Sequence, residues 1–362
     1  MHRAMRVVLL LGLLMCIGVA TGLGEEKKNT AAAGNLQDDV RKLKLLNTLD
    51  VPSEVATEFG PPLRCDREGN LYLHSEVFGV SGLRRISPKG ERLATFNPNP
   101  DSHVKVDFIG SFALGRGDLY ALVYAKEITR YLFVYDLDGK YKSTIKLDPG
   151  FAWSPNALAV FPSGELFITG RRYVRSRQDE AKILYVPFTG LFKADGTLLK
   201  EIALEDDSPL QKLADAGDRR YASPTAPGSN RAISFSQTDV GEDGNVYLMR
   251  WTSPAIFYAI APTGEVVRRF TLDSGDGNMH PFAFHISGNR LAVLFTHPQT
   301  GERVMKVSDL EGTEIATYRY SAKTPGESFG AAFACYTTQP ERFTFLSTTD
   351  KDKLRLIFAE GS

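Results

Sequence analysis

Paired glycine turns, flanked by β-rich segments, recur along this 362-residue chain and constrain its fold more than any other feature. The first turn of each pair leads directly into a strand, as in Glu68-Gly69-Asn70-Leu71-Tyr72-Leu73 and Asp243-Gly244-Asn245-Val246-Tyr247-Leu248. The glycines of these first turns stand at 69, 117, 164, 244 and 288, at intervals of 48, 47, 80 and 44 residues. Self-similarity at such a period indicates a repeat architecture.

A second glycine turn follows each of the first five copies, with glycines at 90, 139, 196, 264 and 312. Glycine provides the positive φ that tight hairpin turns require. The segments around the turns, such as Leu132-Phe133-Val134-Tyr135, are alternating or wholly apolar and rich in β-formers, which is typical of strands. Each repeat therefore has the order strand, turn, strand, loop, strand, turn, strand.

Four-stranded units of this length are typical of propeller blades rather than of helical repeats. The longer interval before Gly244 is too short for two further blades, and we interpret its excess as a loop insertion over 205–230. The sixth copy has three strands, around Ala331–Tyr336, Arg342–Leu346 and Leu354–Ala359. Lys42–Leu49 has no other partner, so we predict that it supplies the missing outer strand. The expected fold is all-β, a six-bladed β-propeller of four-stranded antiparallel blades, with its ring closed by an N-terminal strand.

The blade pattern resembles that of NHL-repeat and related six-bladed β-propellers, which include gluconolactonase-like and TolB-like members. It is clearest in Pro155-Asn156-Ala157-Leu158-Ala159-Val160 and the following Phe161-Pro162-Ser163-Gly164-Glu165-Leu166-Phe167-Ile168, and it extends over about 42–359. The resemblance implies the fold. It implies no single activity, because such proteins include scaffolds, ligand binders, lactonases and lyases.

The N-terminus has the pattern of a secretory signal peptide over 1–22. Arg3 and Arg6 precede an apolar run from Val7 to Ala20, and Ala20-Thr21-Gly22 offers small residues for cleavage. The run is short for a bilayer span, although an uncleaved anchor helix stays an alternative. Residues 23–41 are predicted to form a flexible leader, and 42–362 a single propeller domain. We expect an exported protein, periplasmic or extracellular, without a transmembrane segment in the mature chain.

The charge balance excludes one class of partner, and the cysteine content bears on the redox state of the compartment. The 43 basic and 43 acidic side chains balance, which removes the electrostatic basis for binding nucleic acid. Cleavage after Gly22 removes two arginines and Cys16, and leaves Cys65 and Cys335. These lie ahead of the first turn in blades one and six, which ring closure makes neighbours. Either they form a disulfide across the seam, or they are two buried free thiols.

The two faces of such a ring differ. The loops between the second and third strands open on one face together with the blade-to-blade connections; we call this the loop face. The glycine turns lie on the opposite, glycine-turn face. Function is expected on the loop face. The predicted second-to-third-strand loops are 74–79, 124–129, 170–180, 250–254, 295–300 and 347–351.

The loop at 170–180 contains four arginines: Arg171, Arg172, Arg175 and Arg177. Guanidinium groups can bind carboxylates or phosphates in a bidentate manner, so an acidic small molecule or an acidic protein is the expected partner. The alternative is a solvated loop whose arginines pair with Asp179, Glu180 and the acidic stretch Glu205-Asp206-Asp207. The 205–230 insertion opens on the same face and is a candidate lid or partner contact.

Smaller candidates lie on this face. Tyr124 and Trp251 are predicted to form a contact surface, with packing of the tryptophan between blades as the alternative. Asn156, Arg231 and His280 precede the innermost strands of blades three, four and five, near the channel mouth. They could coordinate a small ligand, or they could be structural.

The sequence gives little support for an enzyme. The sequence contains neither an H-E-x-x-H motif nor a paired-cysteine metal spacing. The lactonase-like proteins hold a divalent metal with Glu, Asn and Asp at the channel mouth, and Asn156 is the one persuasive match here. We therefore predict no catalytic residue and no cofactor, and leave open a Ca or Zn ion in the central channel.

The expected function is that of an exported propeller that binds a ligand or protein with its loop face. One alternative is a metal-dependent hydrolase, lactonase or lyase with a site at the channel mouth. Another is a periplasmic accessory protein of an envelope complex, as in the TolB-like branch.

Overall fold

The computed structural model describes residues 40–57, 59–77, 80–125, 129–175, 183–205, 228–321, 329–330, 332–349 and 353–362. The predicted signal peptide and all of the leader up to residue 39 lie outside this part of the chain. So do Arg177 and the insertion from 206 to 227.

The described residues form strands and one short helix, α1 (Asn230–Ser234). The strands are β1 (Val40–Arg41), β2 (Leu43–Asp50), β3 (Gly60–Cys65), β4 (Leu71–Val77), β5 (Val80–Ile86), β6 (Arg92–Phe96), β7 (Val106–Gly115), β8 (Asp118–Ala125), β9 (Arg130–Asp136), β10 (Tyr141–Leu147), β11 (Trp153–Val160), β12 (Leu166–Arg175), β13 (Ile183–Phe192), β14 (Leu198–Glu201), β15 (Gln237–Val240), β16 (Val246–Arg250), β17 (Ala255–Ile260), β18 (Val266–Leu272), β19 (His280–Ser287), β20 (Arg290–Thr296), β21 (Glu302–Asp309), β22 (Glu314–Ser321), β23 (Ala332–Thr338), β24 (Glu341–Thr348) and β25 (Leu354–Gly361).

These strands form six blades of four antiparallel strands each, which confirms the predicted fold class. Blades one to five are β3–β6, β7–β10, β11–β14, β15–β18 and β19–β22, and blade six is β23–β25 with β2 at its outer edge. The innermost strands β3, β7, β11, β15, β19 and β23 contact one another in turn, and β23 contacts β3. The ring is therefore closed. Each innermost strand begins on the loop face and ends at the glycine-turn face.

The ten predicted turn glycines all have positive φ, between 59° and 109°. Gly139 shows why no larger residue fits, because a Cβ there would lie 2.5 Å from the carbonyl oxygen of Thr95 in the preceding blade. The turns thus fix the strand order within each blade and also allow neighbouring blades to approach each other.

Ring closure follows the predicted route. β2 pairs antiparallel with β25, from Leu43 opposite Gly361 to Asp50 opposite Arg355. The ion pairs Lys44–Glu360 and Arg355–Asp50 join the same two strands. β1, within the segment predicted as leader, pairs in parallel with the outermost strand of blade five.

A disulfide joins Cys65 at the end of β3 to Cys335 in β23, with the two Cα atoms 5.5 Å apart. Because these strands are the innermost strands of blades one and six, the bond crosses the seam of the ring. The alternative of two free thiols is wrong, because the two inner strands bring the Cα atoms within the ~7 Å that a disulfide can bridge.

The apolar core is divided into six layers, one between each pair of adjacent blades. Tyr72, Phe96, Phe112 and Phe133 belong to the layer between blades one and two. In the part of the chain that the structure describes, no helix has the length and apolar character needed to cross a membrane.

Candidate functional site

Large exposed aromatic side chains lie on the loop face, close to the channel. Phe108 near the start of β7, Phe235 just before β15 and Phe282 near the start of β19 are 52%, 55% and 49% exposed. They belong to blades two, four and five. Exposed aromatic rings grouped on one face of a protein are typical of a surface that contacts a partner.

Tyr124 forms the first cluster on this face, which we call the Tyr124 cluster, with Phe108 and Arg130. Its ring stacks on Phe108 with centroids 4.5 Å apart, and the Arg130 guanidinium lies 4.4 Å from its centroid. The hydroxyl donates to the carbonyl of Pro155 in the next blade. Gly110 makes this ring position available, since a Cβ there would lie 2.5 Å from the ring. Burial raises the pKa of Tyr124, so the phenol stays neutral.

The arginines predicted to lie in a loop lie on a strand instead. β12 continues to Arg175 and pairs residue by residue with β13, as far as Arg175 opposite Ile183. The prediction of a loop from 170 onwards is therefore wrong for Arg171, Arg172 and Arg175. The physical reason is that Tyr173 and Val174 are good strand formers with Tyr185 and Leu184 opposite them, so the hairpin extends beyond the blade.

Strand alternation separates these arginines. Arg171 lies 5.9 Å from the ring of Tyr185, which itself packs edge-to-face against Tyr173 at 5.2 Å. Arg175 is exposed and shares their side of the strand. Arg172 points the other way and pairs with Glu201 at 3.2 Å. We call Arg171, Tyr173, Arg175 and Tyr185 the β12 arginine surface.

Arg171 is also close to the Tyr124 cluster, because it lies opposite Ser154 in the β11–β12 pair and the Ser154 hydroxyl is 3.4 Å from that of Tyr124. Its Nε is buried and has no hydrogen-bond partner among the described residues. The Tyr124 cluster and the β12 arginine surface thus form one basic, aromatic patch on blades two and three.

Glu205 does not neutralise this patch. Its two carboxylate oxygens accept from Arg250 Nε at 2.7 Å and Nη2 at 3.2 Å. The Arg250 side chain is fully buried and also donates to Thr169 and Ser236. Glu205 therefore does not pair with the arginines of β12. The other acidic residues of that alternative, Asp179, Glu180, Asp206 and Asp207, lie outside the described residues.

Trp251 centres a second cluster, which we call the Trp251 cluster, with Arg231, Phe235 and His280. The indole stacks on His280 at 4.2 Å, lies 4.3 Å from the Arg231 guanidinium and 5.6 Å from the ring of Phe235. Ser229 Oγ caps α1 by accepting from Ala232, which fixes the helix that presents Arg231. Burial, and then the charge of Arg231, lower the pKa of His280.

The two predicted contact residues therefore lie in different clusters, Tyr124 on blade two and Trp251 on blades four and five. Two of the predicted channel-mouth residues, Arg231 and His280, both contact the ring of Trp251. The third, Asn156, occupies a bulge of β11 in blade three. Its Oδ1 is buried and has no hydrogen-bond partner in the described part of the structure.

Metal binding has little support in the described ranges, because no group of three or more His, Cys, Asp or Glu side chains there is placed to hold an ion. Among the described residues, Asn156 thus has no group of carboxylate companions of the kind that a lactonase-like site would require. Whether a Ca or Zn ion occupies the central channel is not tested by this geometry.

One motif was missed by the sequence reasoning. Gly326-Glu327-Ser328-Phe329-Gly330 fits the G-x-S-x-G pattern of serine hydrolases. That pattern needs a strand before it and a helix after it, whereas here β23 follows. Ser328 itself lies outside the described residues.

A comparison with solved structures finds several matches to this chain. A protein from Bacteroides fragilis NCTC 9343 assigned as exported is 12% identical, with a TM-score of 0.56, and the match covers 90% of this chain and 97% of that one. The likeness is one of fold. A protein of unknown function from Bacteroides caccae is 11% identical, with 71% and 96% covered and a TM-score of 0.32. A chain of the mitotic checkpoint complex is 10% identical, with 94% and 99% covered and a TM-score of 0.44.

No protein-family model matches the sequence, and no curated protein matches it either. The six-bladed propeller is therefore what the likeness shows, and the NHL, TolB-like and gluconolactonase-like branches stay predictions. Function has to be argued from the surface itself.

Proposed function

We propose that this chain is an exported binding protein that holds an acidic polypeptide segment on its loop face. The observation that carries the proposal is the β12 arginine surface. Arg171 and Arg175 lie there beside two tyrosines, and no carboxylate lies within 4 Å of either arginine among the described residues. Arginine next to exposed tyrosine is the side-chain chemistry that interfaces favour.

Charge supports an acidic partner. The chain as a whole is neutral, and two acidic side chains of the described structure already have basic partners, Glu201 with Arg172 and Glu205 with Arg250. The arginines of blades two and three therefore give a local positive field that the total charge hides. Binding should weaken as salt rises, because exposed charges are screened.

The extent of the surface favours a polypeptide over a small molecule. The Tyr124 cluster lies on blade two beside the β12 arginine surface of blade three, and the Trp251 cluster lies on blades four and five. A cavity of about 300 Å³ adjoins the first, lined by Thr129 and residues 146–153. An extended segment with acidic and aromatic side chains could contact both clusters, whereas a small molecule could contact only one.

Three observations support the proposal that the protein is exported. The N-terminal sequence has the order of a signal peptide. The Cys65–Cys335 disulfide suits an oxidising compartment, periplasmic or extracellular. The Bacteroides fragilis protein of similar fold is assigned as exported.

The proposal is tested with a fluorescein-labelled peptide of alternating Glu and Tyr, titrated against the protein by fluorescence anisotropy. Replacing Arg171 and Arg175 together by serine should weaken binding about tenfold or more, as loss of two charge-assisted contacts implies. The matched control is Arg172→Ser, on the same strand but facing Glu201, which should change affinity less than about twofold. Equal effects of the two changes, or no binding by the wild-type protein, would contradict the proposal.

The metal-dependent hydrolase, lactonase or lyase remains a second candidate because of one observation, the unsatisfied Oδ1 of Asn156. Elemental analysis of the purified protein distinguishes it from a binding protein. Stoichiometric Ca or Zn that is lost in Asn156→Ala would favour the hydrolytic candidate; the binding proposal predicts that the Asn156→Ala protein and the wild type have the same metal content.

A further inference from the structure

A second concave site lies at the opposite end of the channel. A cavity of about 570 Å³ opens on the glycine-turn face and is lined by residues from all six blades. Its lining comes from the ends of the innermost strands and the turns that follow them, such as Asp239 to Glu242 in blade four. Small-molecule sites in proteins are commonly of this size.

Aliphatic side chains form part of the walls of this cavity. Leu114, Leu137, Val160, Val240 and Ile286 line it, each from the end of a strand or the turn that follows. Such walls favour the alkyl part of a ligand.

Four acidic side chains line the cavity, and three of them have a basic partner. Asp66 pairs with Arg85 at 3.1 Å, and Asp118 with Lys142 at 2.8 Å. Glu242 pairs with Arg67 at 3.1 Å. In the described part of the chain, Asp239 is the exception, since no lysine or arginine nitrogen lies within 4 Å of it.

The Asp239 carboxylate instead accepts two backbone hydrogen bonds, from Val240 at 2.9 Å and from Ile286 of blade five at 3.1 Å. Burial raises its pKa, and the nearby charge of Arg64 opposes that effect. Arg64 is itself buried and does not line the cavity. A partly buried carboxylate without a direct cation carries a desolvation cost, which a cationic ligand would offset.

His285 adds a second acceptor to the lining. Its ring is 2% exposed, and its Nε2 lies 3.2 Å from the carbonyl oxygen of Phe333. A carbonyl only accepts, so Nε2 carries the hydrogen and Nδ1 keeps its lone pair. Burial lowers the pKa of His285 to about 3, which keeps the ring neutral.

We propose that this cavity binds a small aliphatic primary amine. The ammonium group donates to the Asp239 carboxylate and to a second acceptor, and the alkyl chain packs on the aliphatic walls. Neither the loop-face clusters nor the acidic partner proposed for them enters this site, so the two proposals stand independently.

Access to the cavity passes an ion pair at its rim. Arg67 of blade one and Glu242 of blade four belong to opposite blades of the ring, and both side chains are largely exposed. Exposed pairs of this kind are weak. The pair therefore covers part of the mouth without preventing a ligand from entering.

The test compares three probes of equal length on the wild-type protein by isothermal titration calorimetry: n-hexylamine, 1-hexanol and hexanoate. The amine should bind at least about tenfold more tightly than the alcohol, and hexanoate should bind least, because only the amine supplies a cation. This comparison needs no variant, so it stays decisive even if substitutions at Asp239 disturb folding. Equal affinities for the three probes, or absence of amine binding, would overturn the proposal.

Variants then locate the site. Asp239→Asn should weaken n-hexylamine binding at least about tenfold, whereas the control Asp195→Asn, in a glycine turn of blade three outside the cavity lining, should leave it unchanged. Circular dichroism and the melting temperature establish that each variant is folded. Unchanged amine binding by a folded Asp239→Asn protein would overturn the proposal. Replacing Arg171 and Arg175 should not affect this site, which separates its outcome from that of the loop face.

Discussion

Two charged side chains of blade four, Arg250 and Asp239, differ in how the fold satisfies them. Arg250 is fully buried and donates to Glu205, Thr169 and Ser236. Asp239 has backbone donors and no direct cation in the described structure. The first arrangement is that of a structural network, because every strong donor has its acceptor. The second leaves the Asp239 carboxylate without a cation, which a ligand could supply.

The Arg250 network gives a stability prediction at this scale. Arg250→Met should lower the free energy of unfolding by about 3–5 kcal/mol, because it leaves the Glu205 carboxylate buried without its cation. Arg172→Met, which removes a half-exposed pair with Glu201, should cost no more than about 1 kcal/mol. Urea unfolding followed by tryptophan fluorescence measures both; similar losses would show that the Arg250 pair is not the stabilising network described.

The buried His285 and the partly buried His74 give a pH prediction. Burial lowers the pKa of His285 to about 3 and that of His74 to about 4, both below the value of an unfolded histidine. Between those values and about pH 6.5 the unfolded chain binds more protons than the folded one. The free energy of unfolding therefore falls as pH drops through this window, by up to about 1.4 kcal/mol per pH unit for each histidine.

Urea unfolding at several pH values between about 4 and 7 measures how the free energy of unfolding depends on pH. His285→Gln should flatten the dependence, and the same change at the exposed His103 should not. A dependence that is identical in the two variants would mean that His285 does not carry the effect.

Residue types alone could not reveal how the arginines are grouped. Arg171 and Arg172 are adjacent in sequence, and only the extension of β12 to Arg175 places them on opposite sides of a strand. Asp239 was missed for a similar reason. It stands just before the glycine turn of blade four, and its environment depends on Ile286 of blade five, a residue 47 positions away.

At the scale of elements, the turn pattern predicted most of the fold. Ten glycines with positive φ fix where strands end, and the strand count then requires that β2 complete blade six. Hairpin lengths were not predictable, because a hairpin can extend beyond its blade wherever opposite residues are good strand formers. The β12–β13 hairpin is the case in point.

Truncation tests ring closure. A chain that begins at Val51 lacks β2, exposes the edge of β25 and loses the ion pairs Lys44–Glu360 and Arg355–Asp50. Its melting temperature should fall by at least about 5 °C, as loss of a few kcal/mol implies. A chain that begins at Asp39 keeps both β1 and β2 and is the control. If the two chains melt at the same temperature, β2 does not close the ring.

At the scale of the whole molecule, the disulfide and β2 both act at the seam between blades one and six. The bond joins residues 270 positions apart, so it restricts the unfolded chain strongly. Its two cysteines were recognised from their matching places in the repeat, but the sequence left the bond undecided. The distance between inner strands, which depends on how the blades pack, decided it.

Thiol titration checks the disulfide. In denaturant without reductant, a chain lacking residues 1–22 should show no reactive thiol, and both cysteines should react after reduction. Replacing Cys65 and Cys335 together by serine should lower the free energy of unfolding by about 2–5 kcal/mol. Two reactive thiols before reduction would contradict the bond.

The central proposal is that the loop face binds the partner. Hydrogen–deuterium exchange with the Glu-Tyr peptide bound tests it most directly. Protection is predicted in segments around Tyr124, Arg171 and Trp251, because a bound polypeptide shields the backbone that it covers. Exchange in the glycine turns around Gly69 and Gly117 should not change. Protection confined to those turns, or none in the Tyr124 and Arg171 segments, would contradict the account.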